Sequence, residues 1–335
     1  MTRGTMLLTG ATGVVGFELA AAARADGWEL LACSASGGPG VMSWAMGDSA
    51  PPAQLRRHWD VIVHSAARPR FDLTPEVAYA ANVVPLLELE ALADDETHLI
   101  HLSTAYANGL AGSIESDELA DYRNAYEWSK AVAEREATSR FRHVSIVRPP
   151  LVVGRRSDGL AARFSGLYQL MAGWATGLVP CVIGDPSAYV ETVSTTDIAE
   201  LVLTIAAADR PADNRLEILG SGTSAPTLAA SVELLVEGVN RWRTENEKPS
   251  VPIPNICSWE QWQQMPGSPD EREVRHRADT LLRPFLPYTV ITTPMNITHE
   301  VPDMRECLIT CAYWWSAQHS EIALRDEFAS LVVAR

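Results

Sequence analysis

The sequence predicts an α/β protein with a doubly wound parallel sheet and a smaller, mostly helical C-terminal substrate lobe and lid. Two observations carry that prediction. Through the first half, short apolar runs of strand length alternate with longer helical stretches, the pattern of a parallel sheet covered by helices. A glycine-rich turn also follows the first apolar run directly and opens the first helix. With 335 residues the chain is long enough for such a sheet and a second lobe.

In order, Thr5–Thr9 is expected as a strand and the alanine-rich Gly13–Ala25 as a helix. Trp28–Cys33 and Asp60–His64 follow as strands, the latter apolar at Val61, Ile62 and Val63. Pro75–Ala93 reads as one long helix, His98–Ser103 as a strand, Ala125–Arg140 as a helix, and His143–Val147 as a strand closed by Arg148 and two prolines. Gly154–Gly184 reads as a helical lid, and Val190–Ala208 as strand plus helix. Beyond about Arg241 come many prolines with Trp242, Trp259, Trp262, Trp314 and Trp315. The sheet domain is therefore drawn at 1–153 plus roughly 185–220. The lid is drawn at 154–184 and a substrate-binding lobe at 221–335, above the carboxyl edge of the sheet where open α/β folds hold ligands.

A formal net charge of −15 argues against a nucleic-acid partner, because phosphate binding needs a surplus of Lys and Arg. No apolar run is of bilayer length, and the first residues lack a signal-sequence pattern. A cytoplasmic protein is expected, acting on a small molecule without a membrane, as a monomer or a homodimer. Cys33, Cys181, Cys257, Cys307 and Cys311 show no metal-binding spacing, so no metal site is expected. Of 27 basic residues only Lys130 and Lys248 are lysines, so the chain uses arginine wherever bare positive charge suffices.

The turn from Thr9 to Gly16 has the chemistry of a dinucleotide cradle. Gly10 permits the tight turn, Gly13 lets the backbone approach a pyrophosphate, and Gly16 lets the helix lie close on the sheet. The N–H groups of Thr12, Gly13, Val14 and Val15 then face the phosphates at a helix N-terminus. The adenosine ribose should meet the end of the second strand, near Ser34 and Ser36. No acid stands there to hold a 2′-hydroxyl, and both serines can bond a 2′-phosphate. NADPH is therefore expected, with NADH as the alternative.

Tyr126 and Lys130 stand at i and i+4 on one helix face. Reducing a carbonyl with hydride leaves an alkoxide that a phenol can protonate. A free tyrosine, with a pKa near ~10, needs a neighbouring cation to act at neutral pH. Lysine suits this role because its compact ammonium also bonds ribose hydroxyls.

These motifs, with Leu102–Gly109 (LSTAYANG) and Ala125–Glu134 (AYEWSKAVAE), resemble the extended short-chain dehydrogenase/reductase family, and most of all its thioester-reductase and fatty-acyl-CoA-reductase branch. Gly166–Met171 and Ala175–Pro180 add a weaker likeness. The resemblance spans residues 5–200 and implies a Rossmann-type fold. It implies that Thr104 bonds the substrate carbonyl with Ser103 as its buried neighbour, and that Tyr126 and Lys130 complete the catalytic set. It further implies that Asp48 touches the adenine amine, and that Ser65, Ala66, Ala67 and Asn82 lie beneath the cofactor. Pro149, Pro150, Leu151 and Val152 then stand beside the nicotinamide. Asp197 is expected to cap a helix. Arg68, Tyr106, Tyr168, Met171 and Trp174 are expected to line the substrate site.

The function these readings point to is NADPH-dependent reduction of a ketone on a bulky, apolar, polycyclic or aryl secondary metabolite, as in antibiotic biosynthesis. A thioester reductase that releases an aldehyde or alcohol from a carrier or CoA is the alternative, and a nucleotide-sugar epimerase or dehydratase a further one. A dehydratase would show Thr-Asp-Glu where this chain has Thr104-Ala105-Tyr106.

Overall fold

The structure, a computed structural model, describes residues 3–164, 166–175, 181–264, 276, 279–280 and 282–325. Its elements run β1 (Thr5–Thr9), α1 (Val14–Ala25), β2 (Glu29–Ser34), β3 (Met42–Ser43), β4 (Val61–His64), α2 (Pro75–Asn82), α3 (Val84–Leu87), β5 (His98–Leu102), α4 (Ala125–Arg140) and β6 (His143–Arg148). They continue with β7 (Leu151–Val153), α5 (Leu167–Ala175), β8 (Cys181–Ile183), β9 (Thr192–Ser194), α6 (Thr195–Ala207), β10 (Arg215–Gly220), α7 (Leu228–Glu245), β11 (Asn255–Cys257), α8 (Trp259–Gln264) and β12 (His299–Glu300). A helix over Arg305–Gln318 and a short one over Ser320–Ala323 follow.

The chain divides into two compact units. One comprises Met1–Pro150, Thr195–Leu219 and Ile297–Glu300; the other comprises Leu151–Ser194, Gly220–Asn296 and Val301–Arg335. Residues 151–153 and 185–194 thus go with the second unit rather than with the sheet, because β7 and β9 pair with each other in parallel. Ile297–Glu300 returns to the sheet as its last strand.

In the first unit eight strands run in the order β12-β10-β6-β5-β4-β1-β2-β3. Order reverses around β1, and β2, β4, β5, β6 and β10 each pair in parallel with a neighbour, a doubly wound Rossmann-type sheet. The central strands bury every residue of β4 and β5, as a parallel sheet covered on both faces must. Helices pack in two pairs, α1 with α6 and α2 with α4. Leu7, Leu55, Trp59, Ile62, Leu86, Leu99, Val144 and neighbours form one apolar core beside the sheet.

The long helix expected at Pro75–Ala93 is broken. α2 ends at Asn82, α3 occupies Val84–Leu87, and a 3-10 turn covers Glu88–Leu92. Pro85 is the cause: its ring removes a backbone donor and collides with the carbonyl four residues earlier. In the second unit, Arg305–Gln318 packs along α7, while β8 pairs with β11. No helix among the described residues is long and apolar enough to cross a membrane.

Candidate active site

The glycine turn has the geometry that an approaching phosphate needs. Gly10 has φ +71, and a Cβ there would lie 2.6 Å from the Ala66 nitrogen, so only glycine lets the turn nest against the end of β4. At Gly16 a Cβ would meet the Gly10 carbonyl oxygen at 2.2 Å, which keeps α1 tight on its own loop. Gly13 is the N-cap of α1 and offers no side-chain acceptor, and no acid stands in the first turn. The N–H groups of that turn and the positive helix end are thereby left to an anion. A dinucleotide pyrophosphate fits this cradle.

Ser34, at the end of β2, accepts a hydrogen bond from Gly37 N at 3.1 Å, while Ser36 is exposed. Asp48 is an exposed turn residue whose N–H donates to the Ala45 carbonyl. Asn82 is placed differently from a cofactor-contacting residue. Its side-chain nitrogen donates to Ser129 Oγ at 2.9 Å and its oxygen accepts from Arg68 N at 2.7 Å. The buried amide is therefore a strut between the loop after β4 and α4, with both ends in use. Arg68 itself is exposed, Ser65 and Ala66 are half-buried, and Ala67 is exposed.

Helix α4 brings the phenol and the ammonium to the end of β5. Asn124 caps it by accepting from Glu127 N at 3.0 Å, and the Glu127 carboxylate reaches back to accept from Arg123 N at 3.1 Å, one residue before the cap. Lys130 Nζ donates to the Leu102 carbonyl at 2.6 Å and lies 3.2 Å from His101 Nε2. Those contacts fasten the helix face to the strand end that continues into Ser103 and Thr104. Thr104 is buried, and its hydroxyl accepts from Tyr106 N at 3.4 Å. Tyr126 packs against Phe71, ring centroids 5.9 Å apart, and the Arg123 guanidinium lies over the Tyr106 ring at 5.8 Å. Ala105 N donates to the Pro149 carbonyl at 2.9 Å, which ties this loop to the buried Pro149–Pro150 end of β6. Leu151 and Val152 lie in β7.

The electrostatics differ from the simple expectation that Lys130 lowers the Tyr126 pKa. Burial, with the Glu127 charge adding to it, pushes the Tyr126 phenol above its ordinary value. Burial brings Lys130 down to about 8, with Glu134 opposing. Tyr126 itself is half-buried, and the Lys130 ammonium is engaged with the end of β5.

Sequence reasoning passed over two buried arrays. Arg148 and Glu134 form a bidentate ion pair at 2.8 and 2.6 Å, and Arg148 also reaches Asn108 Oδ1 at 2.9 Å. Behind Lys130, His101 stacks on His64, ring centroids 5.3 Å apart and 18° from parallel. Histidines inside otherwise apolar parallel strands were the signal available for the second array. In the second unit, Tyr168 and Met171 are packed in the interior, and the Tyr168 hydroxyl accepts from Gly154 N at 2.9 Å. Trp174 borders an apolar cavity with Leu170, Leu282 and Phe285. Asp197 is buried in the first turn of α6.

Comparison with known proteins agrees with this geometry. Residues 50–202 match the family model described as male sterility protein. A dTDP-4-dehydrorhamnose reductase of Mycobacterium tuberculosis is 31% identical over 215 residues, 60% of this chain and 65% of that protein, so the aligned stretch spans just under two thirds of the relative's length. Among solved structures, the terminal R domain of the myxalamid PKS-NRPS biosynthetic pathway superposes with a TM-score of 0.65 at 18% identity, covering 96% of this chain and 92% of that one. The dTDP-4-dehydrorhamnose reductase of Bacillus anthracis in complex with NADP gives 0.57 at 13% identity, over 92% of this chain and 98% of that one. The stretch that the male sterility model matches, just under half of the chain, is the one that carries Thr104, Tyr126 and Lys130.

Proposed function

We propose that this chain is an NADPH-dependent carbonyl reductase acting on a ketone of a bulky, apolar, polycyclic or aryl metabolite. One observation supports the reading most: Lys130 is bonded to the last residue of β5, two strands from the glycine cradle, and the chain runs on from there into Thr104. Gly10, Thr12, Gly13, Val14, Val15 and Gly16 would hold the cofactor's pyrophosphate, and Ser34 and Ser36 its ribose end. When bound, the nicotinamide supplies the hydride. The NADP in the Bacillus anthracis relative supports the choice of cofactor.

Each side chain then has a part in the reduction. The Thr104 hydroxyl bonds the substrate carbonyl and polarises it. Tyr126 is a phenol with its proton in place at neutral pH, which is the form that reduction needs. As charge builds on the carbonyl oxygen, Tyr126 delivers that proton. The Lys130 ammonium bonds the nicotinamide ribose and offsets the charge left on the phenolate. Tyr106 is a proposed apolar wall of the substrate site.

The male sterility match favours a second reading, in which the carbonyl belongs to an acyl thioester on a carrier or CoA and is released as aldehyde or alcohol. The same three side chains would serve it. Incubating the purified protein and NADPH with a panel of polycyclic ketones, acyl thioesters and nucleotide sugars, with products read by mass spectrometry, decides between them. An alcohol formed only from a ketone supports the first reading, and thioester turnover replaces it by the second. Turnover of nucleotide sugars alone refutes both.

A further inference from the structure

We propose that His101 is a positioning residue for Lys130: its Nε2 accepts a hydrogen bond from the buried ammonium and, with the Leu102 carbonyl, holds that side chain in place and in its charged form. The inference deepens the reductase reading, since it concerns the lysine of that site.

The geometry leaves His101 one role. An ammonium has three donors and no lone pair, so a nitrogen 3.2 Å from Lys130 Nζ must be an acceptor. His101 is therefore the neutral tautomer with its proton on Nδ1, and that Nδ1 is buried with no hydrogen-bond partner among the described residues. His64 lies in register with His101 on β4, stacks on its ring, and is anchored through Nδ1 to Thr9 Oγ1 at 2.8 Å. Its own Nε2 is equally unpartnered. A leucine or phenylalanine at either place would fill a strand interior without stranding a nitrogen. Packing alone thus gives no reason for imidazoles here, whereas an acceptor for Lys130 does.

Burial keeps both rings uncharged: His101 lies well below its ordinary value, and His64 is brought down to about 3. Other titratable groups lie on Lys130's own helix and on the neighbouring strands. His64 comes from β4 and His101 from β5. From β6 comes Arg148, already engaged by Glu134, and Tyr126, Glu127 and Glu134 share its own helix. Of these, His101 lies within hydrogen-bond distance of Nζ.

The test uses a convenience of this chain, which has lysine only at positions 130 and 248. Protein labelled with carbon-13 lysine gives two side-chain signals, assigned with Lys248→Arg, and the Lys130 titration can be followed without any substrate. His101→Phe is expected to lower its midpoint by about one pH unit, and His101→Gln, which can still accept, to restore it toward the wild-type value. An unchanged midpoint in His101→Phe overturns the proposal. Should that variant fail to fold, nitrogen-15 histidine spectra of the wild type decide. A His101 protonated on Nδ1 and bare at Nε2 supports the proposal, and the opposite tautomer overturns it. The two readings fail separately: a shifted Lys130 titration in a protein without reductase activity sinks the function and keeps the positioning. An active reductase with an unshifted titration sinks the positioning alone.

Discussion

Arg148 at the end of β6 grips Glu134 on α4 through two parallel hydrogen bonds, with both side chains almost fully buried at 3% and 2% exposure. Glu134 stands one turn beyond Lys130, so this clamp fixes the helix that presents the ammonium. Removing one partner leaves the other charge stranded in a dry site. Arg148→Met should cost about 3–5 kcal/mol of stability. Urea denaturation of the variant beside wild type measures it, and a loss below ~1 kcal/mol would show the pair to be replaceable.

Tyr126→Phe removes the proton donor and leaves the glycine cradle untouched. Turnover should fall by about 10²–10⁴-fold while NADPH affinity stays near wild type. Lys130→Arg should also be severely impaired, because a guanidinium fork does not fit the slot between His101 Nε2 and the Leu102 carbonyl. Steady-state kinetics and cofactor titration together check both, and full activity in Tyr126→Phe would remove the phenol from the mechanism.

Ser34→Asp tests the cofactor's ribose end. An aspartate can still accept from Gly37 N, so the turn after β2 should survive. Its charge should repel a 2′-phosphate, weakening NADPH about tenfold or more and favouring NADH. Unaltered NADPH affinity would move the phosphate elsewhere.

Three buried histidines set the acid limit of stability. Burial lowers His64 to about 3 and His98 to about 4, and takes His101 well below its ordinary value. Below pH ~6.5 the unfolded chain binds protons on these rings that the folded chain does not, so stability falls as pH falls. The fall should begin near pH 6.5, ahead of most carboxylate titration, and continue toward about 3. His98 is bonded to Ser145 Oγ at 2.9 Å, and His98→Gln can keep that bond. Its urea midpoint should depend less on pH between 6.5 and 5 than that of the wild type; equal slopes would exonerate His98.

The parts legible in the sequence are those set by local chemistry. Gly10, Gly13 and Gly16 declare a turn and a helix start within one stretch of chain, and Tyr126 with Lys130 declares a helix face. β10 escaped because Leu216 is 41% exposed while Arg215 and Glu217 pair with each other, which disguises the usual alternation. β7, β8, β9 and β11 hold three residues each, too few for a period to show, although β9 fell inside a stretch read as strand plus helix. The resemblance places Asn82 beside the cofactor; its hydrogen bonds to Arg68 and Ser129 were not legible because those partners come from distant parts of the chain and only folding brings them together. Of Ala175–Pro180, residues 176–180 lie outside the described residues.

Both margins of the eight-stranded sheet are made by strands of two residues, β3 and β12. So short a strand presents hardly any free N–H and C=O groups to a neighbouring molecule. On one margin β3 covers only Cys33 and Ser34 of β2, so the part of β2 before them, Glu29–Ala32, is the stretch of that margin without a strand partner among the described residues. Any backbone pairing by a second molecule on that side would have to be made there, and a charge placed on that stretch is the change that would discourage it.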